Sequence, residues 1–324
     1  MKTISTIFFG STTDSLIVLN TLYNLQTTTY KLAIVAIVTQ PPRPIGRKQI
    51  VTPTPVEVWS KEHAIPVLSF PSDPEKPSFY ASEQTVIDTL SPFQADLLVS
   101  ASYGQKIPTK TITDAHFGGL NVHPSLLPRW RGADPVPRAI LAGDHQTGAT
   151  VVTLSEQFDE GHIIAQKKVF LHGNETSDPL REQLFTVGAA LLADVLPRYL
   201  DGSEKGHPQG ASDQPTSKRF TRDDGFETWE TIQQAKHDAV IAKRLEAKYR
   251  AFHPWPGLWT KIKVSSIKYH VSTEEGLRLK IIACHLSHDS CLIIDSVQLE
   301  GKQPVAYEQF MSAYFAPTSP AGRR

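Results

Sequence analysis

The chain has 324 residues, 40% apolar and 20% charged, and its 33 basic side chains are balanced by 33 acidic ones. That length allows two ordinary domains, while the composition excludes a disordered chain and a polycation that grips phosphate over its whole surface. Two cysteines are too few for a disulfide framework, and the longest apolar run, seven residues over 32–38, falls far short of the roughly 20 that a spanning helix needs.

The opening MKTISTIFFG reads as a strand over residues 3–9 rather than a signal peptide, so the expected address is the cytoplasm, with no membrane partner. Residues 11–14 can cap a helix over 16–25. Residues 32–38 are apolar on both faces, as a central parallel strand requires. The run QPPRPIGRKQIVTPTP over 40–55 carries prolines that forbid regular structure along most of its length. A helix at 56–63, a strand at 66–70, a helix at 82–90 and strands at 96–101 and 119–123 follow. A helix at 134–142, a strand at 149–154 and a long helix at 179–200 complete the first half. This alternation predicts an α/β domain over residues 1–200, doubly wound around a mostly parallel sheet whose ligands bind beyond the carboxyl ends of the strands. No GxGxxG follows the first strand, which speaks against a dinucleotide. Over 201–215 the composition turns to Gly, Ser, Pro and charge, the mark of a linker. A second domain over 216–324 begins with one helix at 229–251 and continues, from residue 257, in short alternating strands that predict a small β-barrel or sandwich.

The densest chemical signal is GGLNVHPSLLPRWRGADP over 118–135. Asn121 and His123 are two apart on a strand, so both side chains leave the same face, and Pro124 ends the strand and opens a loop. An amide donor beside an imidazole suits a carbonyl oxygen that becomes negative, although such a pair is as readily two satisfied polar side chains. Asp159, in FDEG after the next strand, supplies a nearby acid or is an ordinary turn aspartate.

The stretch LNVHPSLLPRWRGADPVPRAILAGD, with TGATVV and FDEG after it, resembles the catalytic core of the 10-formyltetrahydrofolate-dependent formyltransferases. TQPPRPIGRK, SASYGQKIP and AFHPWPGLW extend the resemblance over nearly the whole chain. Two departures stand out: GSTTDS lacks the proline and aromatic residue usual in the family, and His253 replaces a commoner Asn. The resemblance implies a Rossmann variant of the formyltransferase type, an OB-like C-terminal barrel, 10-formyltetrahydrofolate as donor and no metal. It implies initiator methionyl-tRNA as acceptor and a monomeric protein. By the same resemblance Asn121, His123 and Asp159 match the catalytic trio, while Ser125, Leu126, Leu127 and Pro128 would line the folate site. Sugar-nucleotide formyltransferases and formyltetrahydrofolate hydrolases share the trio, and an inert RNA-binding factor is the reading from another class.

Arg43, Arg47 and Lys48 sit on the proline-stiffened loop, whose counterpart in the family reaches toward the tRNA acceptor end, and Arg47 is the foremost candidate for RNA contact. Residues 241–270 hold seven basic side chains against the single Glu246, among them Lys261 and Lys263. A solvated helix face and an RNA-facing patch explain that run equally well. Lys218, just past the linker, is a further RNA candidate, as is Arg219. Arg129 and Arg131 read as anion contacts or as surface charge, with surface charge the favoured reading. Cys284, His285, His288 and Cys291 fall within eight residues, yet they lack a C-x2-C pair and flank a predicted hairpin, which weighs against zinc.

Overall fold

The computed structural model describes residues 2–25, 27, 29–46, 48–212, 216–263 and 276–315. Arg47 and Lys268 lie outside the described residues. The chain forms two compact units: Met1–Val136 with His145–His172 and Pro179–Lys218, and Pro137–Asp144 with Gly173–Asp178 and Arg219–Arg324.

Through the first stretch the elements are β1 (Lys2–Phe9), α1 (Thr13–Tyr23), β2 (Tyr30–Thr39), β3 (Arg43–Ile45), β4 (Ile50–Thr52), α2 (Pro55–Glu62) and β5 (Val67–Ser69). Then come α3 (Glu83–Leu90), β6 (Leu97–Ala101), α4 (Thr109–Asp114), β7 (Gly119–His123), α5 (Pro135–Leu141), β8 (Gln146–Thr153), β9 (Ile163–Phe170) and α6 (Ser177–Leu200). Seven strands form one sheet in the order β5-β2-β1-β6-β7-β8-β9. Pairings from β5 to β7 are parallel, and β8 and β9 add antiparallel. Neighbouring residues of one strand feed opposite faces, the period of an extended chain. Ile4, Phe8, Val99 and Val122 pack with Leu192 and Val195 of α6, whereas Ile7, Phe9 and Leu98 pack with Val86 of α3 and Ile112 of α4. Gly188 permits the close approach of α6 to β7, since a Cβ there would stand 2.4 Å from Val122 Cγ1.

Three expectations change in this unit. The proline-rich run is not irregular throughout, because β3 and β4 pair antiparallel as a short hairpin around Gly46, with Pro44 at an exposed strand where a lost N–H is tolerated. β9 was hidden from pattern reading by its polar centre, QKK, in which Lys167 and Lys168 are exposed at the sheet edge while Ala165 packs on the core. The expected linker belongs to the first unit: His207 bridges Ile163, and Ser217 bridges Gly132. Most of its described residues are exposed, and the bonds to the loops come from a few of them, His207, Gln209 and Ser212.

The second unit contains α7 (Trp229–Gln234), α8 (Ala239–Phe252), β10 (Trp259–Ile262), β11 (Leu277–Leu286), β12 (Leu292–Leu299), β13 (Val305–Ala306) and α9 (Tyr307–Tyr314). The single helix expected at 229–251 is two, because the Asp238 carboxylate accepts from the Val240 and Ile241 amides and starts α8 afresh. β10 to β13 form an antiparallel sheet in chain order, and its buried face, with Leu279, Ile281, Ile294 and Val297, packs with Leu245 and Phe310.

Candidate active site

β7 ends between β6 and β8, and its last residues present polar groups at the carboxyl end of the parallel sheet. Leu120 and Val122 take the face toward α6, leaving Asn121 and His123 on the other. Asp159 joins them from the β8–β9 connection with φ +56°, a left-handed conformation that aspartate tolerates better than most residues. Asn121 Nδ2 donates to Asp159 Oδ1 at 3.0 Å, and the Gly132 amide donates to Asp159 Oδ2 at 2.9 Å. His123 Nδ1 lies 3.5 Å from the same Oδ2, with both side chains almost wholly buried. Its Nε2 lies 2.9 Å from the Trp130 carbonyl oxygen. Both ring nitrogens thus face oxygens that only accept.

The turn after the strand is built from within. Thr150 is the register partner of His123 on β8, and Gln166 is the partner of Thr150 on β9. Thr150 Oγ1 donates to the Ser125 carbonyl at 2.6 Å and accepts from the Leu127 amide at 3.2 Å. Gln166 Nε2 donates to the Leu127 carbonyl at 2.8 Å and to Thr150 Oγ1 at 2.9 Å. Ser125 and Leu127 are consequently buried with their polar backbone engaged, while Leu126 and Pro128 remain half-exposed. Thr150 and Gln166 were absent from the sequence reading, because what marks them is their cross-strand register with His123, which no local pattern carries.

Gly161 serves the site by size. A Cβ there would stand 1.9 Å from the Thr153 carbonyl oxygen, so only glycine lets the FDEG loop close against β8, and the left-handed residue of that turn is Asp159. Arg129 is exposed, with its guanidinium over the Trp130 ring. Arg131, expected as surface charge, is instead drawn in: Nε donates to Gln209 Oε1 at 2.9 Å, and the guanidinium lies 3.5 Å from Glu160.

The remaining candidates lie on exposed positions: Arg43 and Lys48 on the hairpin, Lys218 at the end of the first unit, and Lys261 and Lys263 at β10 of the second. Ile45, Ile50 and Val51 make the hairpin apolar as well as basic. The basic run of the second unit is partly neutralised within that unit. Arg244 and Lys248 both bind Glu227, at 2.5 Å and 2.8 Å, and Arg250 binds Glu246 at 2.6 Å. Burial pushes the Glu227 carboxyl up, but the hydrogen bonds from Arg244 and Lys248 outweigh it and hold the group below its ordinary range. Cys284 and His285 alternate across β11, the first buried in the core and the second bound to Asp295 at 2.9 Å, while His288 is fully exposed. Those side chains do not converge.

Residues 5–196 match the formyl transferase family model. The chain is 40% identical over 229 residues to the methionyl-tRNA formyltransferase of Chloroflexus aggregans, covering 70% of this chain and 68% of that one. Against the methionyl-tRNA formyltransferase of Listeria monocytogenes it is 34% identical over 290 residues, covering 86% and 88%. Among solved structures it is similar to phosphoribosylglycinamide formyltransferase from Bacillus halodurans, with TM-score 0.50 and 26% identity over 62% of this chain and 97% of that one. A 4-N formyltransferase from Francisella tularensis shares the fold, with TM-score 0.58 and 15% identity over 80% and 93% of the two chains.

Proposed function

Because the chain belongs to the formyl transferase family, we propose that it moves a formyl group from 10-formyltetrahydrofolate to the α-amine of initiator methionyl-tRNA. The observation that carries this reading is the identity with methionyl-tRNA formyltransferases across both halves of the chain. No helix among the described residues is long and apolar enough to cross a membrane; we read the protein as a cytoplasmic monomer.

The donor supplies a formyl group that an amine can attack directly. Asn121 keeps one amide hydrogen on Asp159 and offers the other to the formyl oxygen. His123 carries positive charge toward that oxygen as negative charge grows on it. Asp159 holds the imidazolium and takes up the proton that leaves the attacking amine. The bond between the formyl carbon and N10 of the folate then breaks, and that proton passes to N10 as tetrahydrofolate leaves. The donor set suits a folate: Leu126 and Pro128 offer apolar surface next to the trio, on a turn that Ser125 and Leu127 shape from beneath. Arg43, Arg47 and Lys48 on the loop, with Lys218, Lys261 and Lys263, are read as phosphate or base contacts to the tRNA. The C-terminal sheet is read as part of a small OB-like barrel serving the same RNA.

The test is to incubate the purified protein with 10-formyltetrahydrofolate and, separately, Met-tRNA, free methionine and a UDP-amino sugar. Formylated Met-tRNA is expected. Formyl transfer to the sugar, release of formate without an acceptor, or RNA binding with no transfer would each replace this reading with another.

A further inference from the structure

Residues 206–212, within the expected linker over 201–215, run as a strap along the loops that build the candidate active site, and Ser217 adds a further contact. His207 pairs with Ile163 through two backbone hydrogen bonds. Ser212 Oγ donates to the Pro128 carbonyl at 3.2 Å. Ser217 holds the same loop further along, accepting from the Ala133 amide through its carbonyl at 3.0 Å and donating from its amide to the Arg131 carbonyl at 2.8 Å. Between these anchors, Gln209 is the point where the strap touches the chemistry.

Gln209 uses its whole side-chain amide. Nε2 donates to the carbonyl of Asp159 itself, at 2.7 Å, and to the carbonyl of Gly161, at 2.9 Å. Oε1 accepts from Arg131 Nε at 2.9 Å. Both amide hydrogens and one lone pair are therefore committed, and the two carbonyls they hold flank the turn on which Asp159 sits at φ +56°. An isolated left-handed residue is stabilised only by its surroundings, and here the surroundings that fix its carbonyl come from a segment 50 residues further along the chain. Arg131, on the loop whose Gly132 amide binds the Asp159 carboxylate, is held by the same amide group. One side chain thus ties together the backbone beneath the acid and the loop above it.

We infer that Gln209 is a positioning residue for formyl transfer: it sets the orientation of the Asp159 carboxylate against Asn121 and His123 without touching substrate. The inference rests on the functional reading above for its chemical consequence. A carboxylate that swings by about 1 Å leaves its productive geometry, and displacements of that size cost up to about 10²-fold in rate.

Two variants and two readouts test it in the full-length protein. Gln209→Met keeps the length and removes every polar contact; Gln209→Glu keeps an acceptor for Arg131 and removes both donors to the carbonyls. Each is expected to lower kcat by about tenfold or more while KM for folate and for Met-tRNA stays unchanged. Amide hydrogen exchange at Gly132, whose N–H binds the Asp159 carboxylate, should quicken in both variants while protection in β6 and β7 is retained. Unchanged kcat overturns the inference, whether or not Gly132 exchanges faster. So does a loss of kcat with Gly132 protection intact. Faster exchange throughout the sheet with a matching fall in Tm assigns Gln209 to fold stability alone and overturns it as well. Failure of the functional reading shows in the wild type, which would then transfer no formyl group to Met-tRNA, whereas failure of this inference shows only in the variants.

Discussion

The Nε2 atom of His123 stands 2.9 Å from the carbonyl oxygen of Trp130, a residue in the left-handed region at φ +61°. With Nδ1 facing Asp159, the ring is fixed along both edges before any substrate arrives. An oxygen that develops charge beside His123 competes with one carbonyl for one N–H, and binding must trade one acceptor for the other. Removing the ring therefore has two consequences: it takes a donor from the reaction and removes the ring's contacts with the Trp130 carbonyl and with the Asp159 carboxylate, which keeps Asn121 and the Gly132 amide.

His123→Ala should lower kcat by about 10²- to 10³-fold and reduce folding stability by about 1–3 kcal/mol. Asn121→Ala should match the kinetic loss with a smaller loss of stability, since Asp159 keeps the Gly132 amide. Single-turnover formylation and urea denaturation on the same preparations check both halves; near-wild-type turnover in either variant would remove that residue from the chemistry.

Asp159→Asn keeps the shape and the left-handed tolerance but replaces one accepting oxygen with a donor. The amide cannot accept from both Asn121 and Gly132 through equivalent oxygens, so one of these donors loses its partner, at a cost of about 1–3 kcal/mol. Turnover should fall with the charge that holds the imidazolium. Steady-state rates across pH, compared with the wild type, decide the matter: an unchanged rate and pH profile would show that the carboxylate charge is not used.

Gly161→Ala places a methyl group against the Thr153 carbonyl and should destabilise the protein by about 1–3 kcal/mol. Because the displaced loop carries Asp159, activity should drop further than stability accounts for. Activity measured well below Tm separates the two effects; full activity there would mean that the loop closes without the glycine.

Within the basic run, pairing divides RNA candidates from structural charges. Lys261→Gln and Lys263→Gln should each flatten the log–log salt dependence of tRNA binding by about one unit without altering Tm. Lys248→Gln removes one partner of the Glu227 carboxylate and should lower stability more than it lowers RNA affinity. Filter binding from low to high salt, with thermal melts alongside, tests the division, and an unaltered slope for the two β10 lysines returns them to ordinary surface charge.

Burial pushes the Cys284 thiol up to about 12, with Glu246 and Asp295 adding to the effect. Its folded pKa lies above its unfolded value, so the stabilisation is complete below the unfolded pKa and is lost as pH rises from about 9 toward 12. Wild-type stability should therefore fall more steeply with pH in that window than stability of Cys284→Val, by up to about 1.4 kcal/mol per pH unit. Parallel urea midpoints for the two proteins between pH 8 and 11 would show that burial does not hold the thiol protonated.

Local rules were enough for much of this molecule. The period of two placed Asn121 and His123 on one face of a strand, Pro124 marked where that strand stops, and apolar runs of the right length located β1, β2, β6 and the long helix α6. These features depend on neighbours in sequence, which is why they were legible. The capping carboxylate of Asp238 was equally local, yet an uninterrupted helical pattern concealed it.

Tertiary structure decided whatever depends on which distant groups meet. Gln209, Thr150 and Gln166 carry no local mark of function, and the strap holding Gln209 has the composition of a linker although Gln209 and Ser212 bond to the loops of the site. Arg131 read as surface charge until Glu160 and Gln209 drew it in, and Arg244 and Lys248 belonged to a run that read equally as a solvated face or an RNA patch until Glu227 paired with both. A side chain's chemical type is fixed by the sequence, but its burial and its partner are properties of the packed chain. For charged and amide groups, those two properties determine what the residue does.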